Sequence, residues 1–157
     1  VKPTRAQLVE AMAKAMAKME GFFLDKPAPT VAQRNRNPGN LRTWPGCAVV
    51  DGYASFKTLE DGWAALRKQI TNNIWGMGAK DTYPLRTSEP MNFLQFFAGQ
   101  RQPDGVVRRG GYPGYAPAAD KNHPAGYAKF VYVEVSMVLK LPAEITVETP
   151  IREICEV

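Results

Sequence analysis

The chain has 157 residues, 45% hydrophobic and 22% charged, with a net charge of +5. This suits one domain with a packed core and excludes global disorder. No apolar run reaches the roughly 20 residues a membrane-spanning helix needs, and the N-terminal VKPTRAQ has no apolar signal region.

Residues 4–20 read as an amphipathic helix. Thr4 and Gln7 fit a capping box. Leu8, Met12, Ala15, Met16 and Met19 follow the spacing of one apolar face, and Gly21 supplies the stop. Glu20 then emerges at the edge of that face, half-shielded by neighbours such as Phe22 and Phe23. Residues 24–57 have no helical period and hold Pro27, Pro29, Pro38 and Pro45. Asn37-Pro38-Gly39-Asn40 is a strong turn signal, with glycine expected at the positive φ. Ala48–Val50 and residues 53–56, joined by Asp51-Gly52, read as a short β-hairpin.

Residues 58–75 read as the second helix, with Thr58 and Asp61 as a capping pair. Its apolar stripe is Leu59, Trp63, Leu66, Ile70 and Ile74. Residues 79–89 form a polar loop. A short helix over 91–97 follows, with Ser88 as its cap and Phe93, Leu94 and Phe97 at helical spacing. Residues 99–119 are glycine-, proline- and arginine-rich and read as a long irregular loop. There Arg108, Arg109, Tyr112 and Tyr115 are placed to line a groove, or to lie on a solvated loop. Residues 122–140 read as the last main helix, with Asn122 as cap and a buried face of Tyr127, Val131, Val135, Val138 and Leu139. Residues 142–157 look like an extended tail after a domain spanning 1–141. The expected class is α+β, mainly helical, with a small hairpin.

The chemistry narrows by residue type. Cys47 and Cys155 are too few and too far apart for a zinc signature, and His123 stands alone, so no metal site and no cofactor are expected. The two cysteines fit one disulfide or two free thiols. The basic charge favours an acidic partner, but it is scattered rather than clustered, which argues against nucleic acid. No Ser-His-Asp or Cys-His arrangement and no phosphate-cradling loop is present. Carboxylates, amides, hydroxyls and aromatics remain, the groups of a carbohydrate site. Glycoside cleavage needs a carboxylic acid of raised pKa, and partial burial at a helix C-terminus pushes Glu20 that way.

Three blocks carry a resemblance. Met19-Glu20-Gly21-Phe22-Phe23 with Gln33-Arg34-Asn35-Arg36-Asn37-Pro38-Gly39-Asn40-Leu41-Arg42 resembles the start of a lysozyme-like, peptidoglycan-cleaving family of phages and bacteria. Tyr53-Ala54-Ser55-Phe56 with Glu60-Asp61-Gly62-Trp63 is similar to its next block, and Tyr115-Ala116-Pro117 with Asp120, Asn122 and Tyr127 to its C-terminal one. The similarity covers residues 8–140, and its members resemble soluble lytic transglycosylases and goose-type lysozymes in fold. It implies a lysozyme-like domain acting on peptidoglycan glycan strands at the cell wall. It makes Glu20 the general acid and then the base. Asn40 faces it across a cleft. Tyr115 lies near the reacting sugar, and Tyr127 packs behind it or hydrogen-bonds toward Glu20. Ser55 is a further, weaker contact at the hairpin edge. For Arg42 and Trp44, sugar contact and a structural role stay open. Residues 100–113 look like an insertion relative to the family's pattern.

Ordinary glycoside hydrolysis uses two carboxylates, roughly 5–5.5 Å or 6.5–9.5 Å apart. No second acid with a comparable motif accompanies Glu20, although Asp25, Asp51, Glu60 and Asp61 are candidates. A single acid suits lytic transglycosylation between N-acetylmuramic acid and N-acetylglucosamine. The alternatives are a hydrolytic muramidase, and a non-catalytic wall-binding or virion structural module.

Overall fold

A computed structural model describes residues 1–23, 25, 28–78 and 81–157. Pro27 of the proline-rich stretch and the first two positions of the polar loop lie outside these. The fold is mainly helical with one small antiparallel sheet.

Helix α1, Arg5–Met19, forms as its sequence directs: Thr4 and Gln7 make the reciprocal capping box. Its burial is wider than one stripe. Val9, Ala11, Ala13 and Ala17 are buried along with Leu8, Met12, Ala15 and Met16, because α1 is covered on several sides. Met19, expected on the apolar face, is 41% exposed, although Met16 and Ala17 in the same turn are fully buried. The helix packs chiefly on α6 (Pro124–Leu139) and on α3 (Leu59–Trp75).

The stretch after α1 holds a helix that periodicity does not show. Helix α2, Val31–Arg34, is one turn long, too short for a period, and is fixed by a Thr30–Gln33 capping box. Strands β1, Ala48–Val50, and β2, Tyr53–Ser55, pair antiparallel with Val49 opposite Ala54. Asp51 and Gly52 both take positive φ, 54° and 83°, as a two-residue hairpin turn of this kind requires.

In α3, Leu66, Ile70 and Ile74 are buried, Trp63 is half-buried and Leu59 is exposed. The expected polar loop contains α4, Leu85–Ser88, so Ser88 ends one helix and does not cap the next. Asn92 caps α5, Phe93–Ala98, in a capping box with Gln95. Phe93, Phe96 and Phe97 of α5 are fully buried against α6, while Leu94 faces out. Residues 99–117 carry an isolated bridge from Arg101 to Val107, and a 3₁₀ helix, Ala118–Asp120, follows. His123, not Asn122, stands at the N-cap of α6, and it makes no side-chain cap bond. Tyr127, Val131 and Val135 of α6 are buried as expected. Val138 is 65% exposed, because the buried side continues through Leu139, which packs against the core, and leaves Val138 facing out.

Residues 142–157 do not extend from the body. They run through turns into α7, Ile151–Ile154, whose two isoleucines are buried in the main core, and Ile151 N–H donates to Met91 O at 2.9 Å. The apolar pair at i and i+3 drives this docking, and a four-residue helix is too short to announce itself by periodicity. Cys47 and Cys155 are free thiols. Among the described residues, no helix is long and apolar enough to cross a membrane.

Candidate active site

The site begins where α1 stops. Gly21 takes φ 77°, its N–H donates to Lys18 O, and Phe22 N–H donates to Ala17 O at 2.9 Å. This is a Schellman ending, which needs a left-handed residue after the cap. It leaves Glu20 as the cap residue itself, with its side chain at the junction of α1, α6 and the following loop.

The facing wall is built by asparagines. Helix α2 ends in the same pattern, with Arg36 at φ 51° and Asn37 N–H donating to Ala32 O. Asn37 is fully buried. Its Nδ2 donates to Leu41 O and Ala54 O, and its Oδ1 accepts from Leu41 N–H, all at 2.9 Å. Asn35 Nδ2 donates to Val50 O. Both therefore staple the turn to the hairpin. Asn40 is the asparagine left for the cleft.

The turn closes with Asn40 N–H on Asn37 O, and the positive φ falls on Asn40 (49°) rather than on Gly39. Asparagine tolerates this region better than most residues. Gly39 is needed for space: a Cβ there would lie 2.6 Å from Leu66 Cδ1 and 3.0 Å from Tyr115 Oη. Tyr115 Oη donates to Gly39 O at 2.5 Å, tying the long loop to the turn.

These parts enclose a cleft of about 330 Å³. Glu20, Asn40, Arg42, Tyr53, Tyr115, Asp120 and Asn122 line it, along with backbone-rich stretches at 113–117. Tyr127 is not on its wall. It sits behind Glu20, donating its hydroxyl hydrogen to Glu20 Oε1 at 3.0 Å, with Met16 O 3.3 Å away. Its ring stacks on Phe97 at 4.3 Å. Of the two placements open for Tyr127, the hydrogen bond toward Glu20 is the one made, and its ring meets Tyr115 edge-on at 6.3 Å.

Burial raises the Glu20 carboxyl above its ordinary pKa, and this outweighs the hydrogen bonds from Tyr127 and Asn40, which favour the charged form. Burial also pushes the Tyr115 and Tyr127 hydroxyls well above the ordinary tyrosine range. Both stay neutral donors and are unsuited to act as bases. Asn40 lines the cleft, and its Oδ1 is buried with no hydrogen-bond partner among the described residues.

Of the residues singled out from sequence, Glu20, Asn40, Tyr115 and Tyr127 come together. Ser55 does not. It lines a second cleft with Trp44. Arg108 pairs with Glu89, Tyr112 is buried in the core, and neither they nor Arg109 line the Glu20 cleft. Asp120, Asn122 and Tyr53 are in it. In the sequence, Asp120 is marked only by the Tyr115–Tyr127 block, and Asn122 by that block and as a helix cap. Asp25, Asp51, Glu60 and Asp61 do not line this cleft. Among the described residues, no group of three or more His, Cys, Asp or Glu is placed to hold a metal ion. Compared with family models, curated proteins and solved structures, the chain gives no match.

Proposed function

We propose that this is a lysozyme-like enzyme that cleaves the β-1,4 bond between N-acetylmuramic acid and N-acetylglucosamine in peptidoglycan, with Glu20 as acid and then base. The observation that carries the reading is a carboxyl whose pKa is raised by burial on the wall of an open polar cleft, with an amide opposite it. Protonated Glu20 donates to the departing glycosidic oxygen while the substrate's own N-acetyl oxygen closes on the anomeric carbon. The Glu20 carboxylate then takes the proton of the sugar's 6-hydroxyl, whose oxygen displaces the acetamido oxygen and gives a 1,6-anhydro end. This lytic transglycosylation needs one carboxyl group in both steps. Asn40, on the cleft wall, is the amide suited to hydrogen-bond the substrate acetamido group and so orient it.

A second reading is hydrolysis, favoured by Asp120. It lines the same cleft as Glu20 and is exposed, where a carboxylate can hold a water. Mass spectrometry of digested peptidoglycan separates the two. Anhydro-muropeptides mark transglycosylation and reducing ends mark hydrolysis. Retention on purified wall with no soluble product from wild type would instead leave a wall-binding or virion structural module. Undiminished clearing by Glu20→Gln would remove Glu20 as the acid.

A further inference from the structure

The Glu20 cleft has a neighbour of different chemistry. On β2, Tyr53 and Ser55 flank the fully buried Ala54, so the pleat puts both on the face opposite it. Tyr53 lines the Glu20 cleft, and Ser55 lines a second cleft of about 640 Å³. The adjoining segment makes the same step, with Arg42 in the first cleft and Trp44 in the second. The two clefts thus follow one another along one face of the hairpin, their lining residues Tyr53 and Ser55 being about 6.6 Å apart by the strand rise.

The first cleft carries two carboxyl groups, Glu20 and Asp120, with one guanidinium, Arg42. The second carries two ammonium groups, Lys57 and Lys68, with one carboxylate, Asp61. None of those three makes an ion pair among the described residues. Half-buried Trp44 supplies an apolar wall, and the Ser55 hydroxyl makes no hydrogen bond among the described residues. A neutral sugar gives two lysines nothing to neutralise. A short acidic peptide does, because it combines carboxylates with an apolar body.

We propose that the Trp44–Ser55–Lys57–Lys68 cleft binds the carboxylate-bearing peptide stem of the strand cleaved at Glu20, the Glu20 reading being its premise. The test compares wild type with the Lys57→Gln/Lys68→Gln double variant. The substrates are intact peptidoglycan and glycan strands stripped of peptides by an amidase. Both lysines are exposed, so the fold is retained, and thermal unfolding checks it. The expected result is KM on intact peptidoglycan raised about 3- to 10-fold, the scale of two exposed ion pairs, with stripped strands turned over as by wild type. An equal loss on both substrates, or no change on either, overturns the proposal. If wild type cleaves neither substrate, the Glu20 reading fails by itself. The cleft is then judged by calorimetric titration with a free acidic stem tetrapeptide. Salt-sensitive binding that the double variant loses upholds the proposal. No binding, or binding of single-stranded DNA in its place, sinks it.

Discussion

The Tyr127 hydroxyl meets Glu20 Oε1 at 3.0 Å, joining residues 107 positions apart and locking α6 to the end of α1. The bond opposes the burial that raises the Glu20 pKa. In Tyr127→Phe the charged form loses a donor, so the Glu20 pKa rises further. As an acid, Glu20 works only while protonated, so the alkaline limb of kcat/KM against pH moves to higher pH in this variant. Glu20 Oε1 and Met16 O also lose a donor, which costs about 1–3 kcal/mol of stability. A pH profile with an unmoved alkaline limb would show that Tyr127 only packs.

Glu20→Gln tests the acid and the cost of holding it. Losing a positioned general acid lowers the rate about 10²- to 10⁴-fold. Stability moves the other way. The folded pKa of Glu20 lies above its unfolded value, so its favourable contribution is complete below the unfolded pKa and is lost as pH rises through the folded one. Once ionised, the half-buried carboxylate is a burden that glutamine lacks. The variant therefore melts higher than wild type at neutral pH, and the gap closes as pH falls below the ordinary carboxylate range. Melting curves across pH measure this directly.

What could be read from sequence follows the range of the interaction. Glu20 was legible because a helical stripe and a following glycine are local, and the hairpin because Asp51-Gly52 is a turn with its own φ demands. Asn40 was legible as part of a turn, but the backbone strain was assigned to Gly39, since composition does not show that Leu66 and Tyr115 crowd that position. Asp120 was not legible as a partner of Glu20. Its place depends on where the 99–117 loop returns the chain, and Tyr115 fixes that through a carbonyl 76 residues away. Periodicity also misplaced Met19 and Val138, because a face read from sequence does not show which of its edges the neighbouring elements cover.

Gly62 is a helical glycine whose reason lies in another segment. A Cβ there would sit 2.0 Å from Arg36 O and 3.0 Å from Pro38 Cδ. Alanine is favoured over glycine in a helix by about 1 kcal/mol. Here the backbone contact outweighs that gain, because a carbonyl cannot swing aside as a side chain can. Gly62→Ala is expected to lose about 1–3 kcal/mol net in chemical denaturation. It also lowers activity, since residues 36–40 carry Asn40. A stabilised variant would mean that α3 and this turn separate freely.

Arg86 holds the far end of α3. Its Nη1 donates to Asn72 O at 2.5 Å and to Asn73 O at 3.1 Å, while Nη2 pairs with Asp81 Oδ1 at 2.6 Å, nearly out of solvent. Tyr83 and Tyr112 flank the guanidinium. Arg86→Met strands the Asp81 carboxylate and the helix-end carbonyls, a loss of about 3–5 kcal/mol. Adding Asp81→Asn removes the stranded charge, so the double variant recovers part of that loss. Denaturant midpoints for the three proteins check the order. Arg86 is not on the Glu20 cleft, so activity per folded molecule is unchanged.

Asp120 decides the second half of the reaction. It ends the 3₁₀ helix on the same cleft as Glu20, yet it is exposed where Glu20 is largely covered. If Glu20 serves both steps, Asp120 has no proton to move, and Asp120→Asn changes the rate by less than about tenfold, below the roughly 10²-fold that a base contributes at least. Anhydro-muropeptides then remain the main product. Any minor reducing-end product falls in the variant, because that product needs a water held at the cleft mouth. The measurement is the ratio of the two ends by mass spectrometry, wild type against variant, at equal extent of digestion. A wild type giving chiefly reducing ends, with Asp120→Asn down about 100-fold, would instead make Asp120 the base and the enzyme a hydrolase.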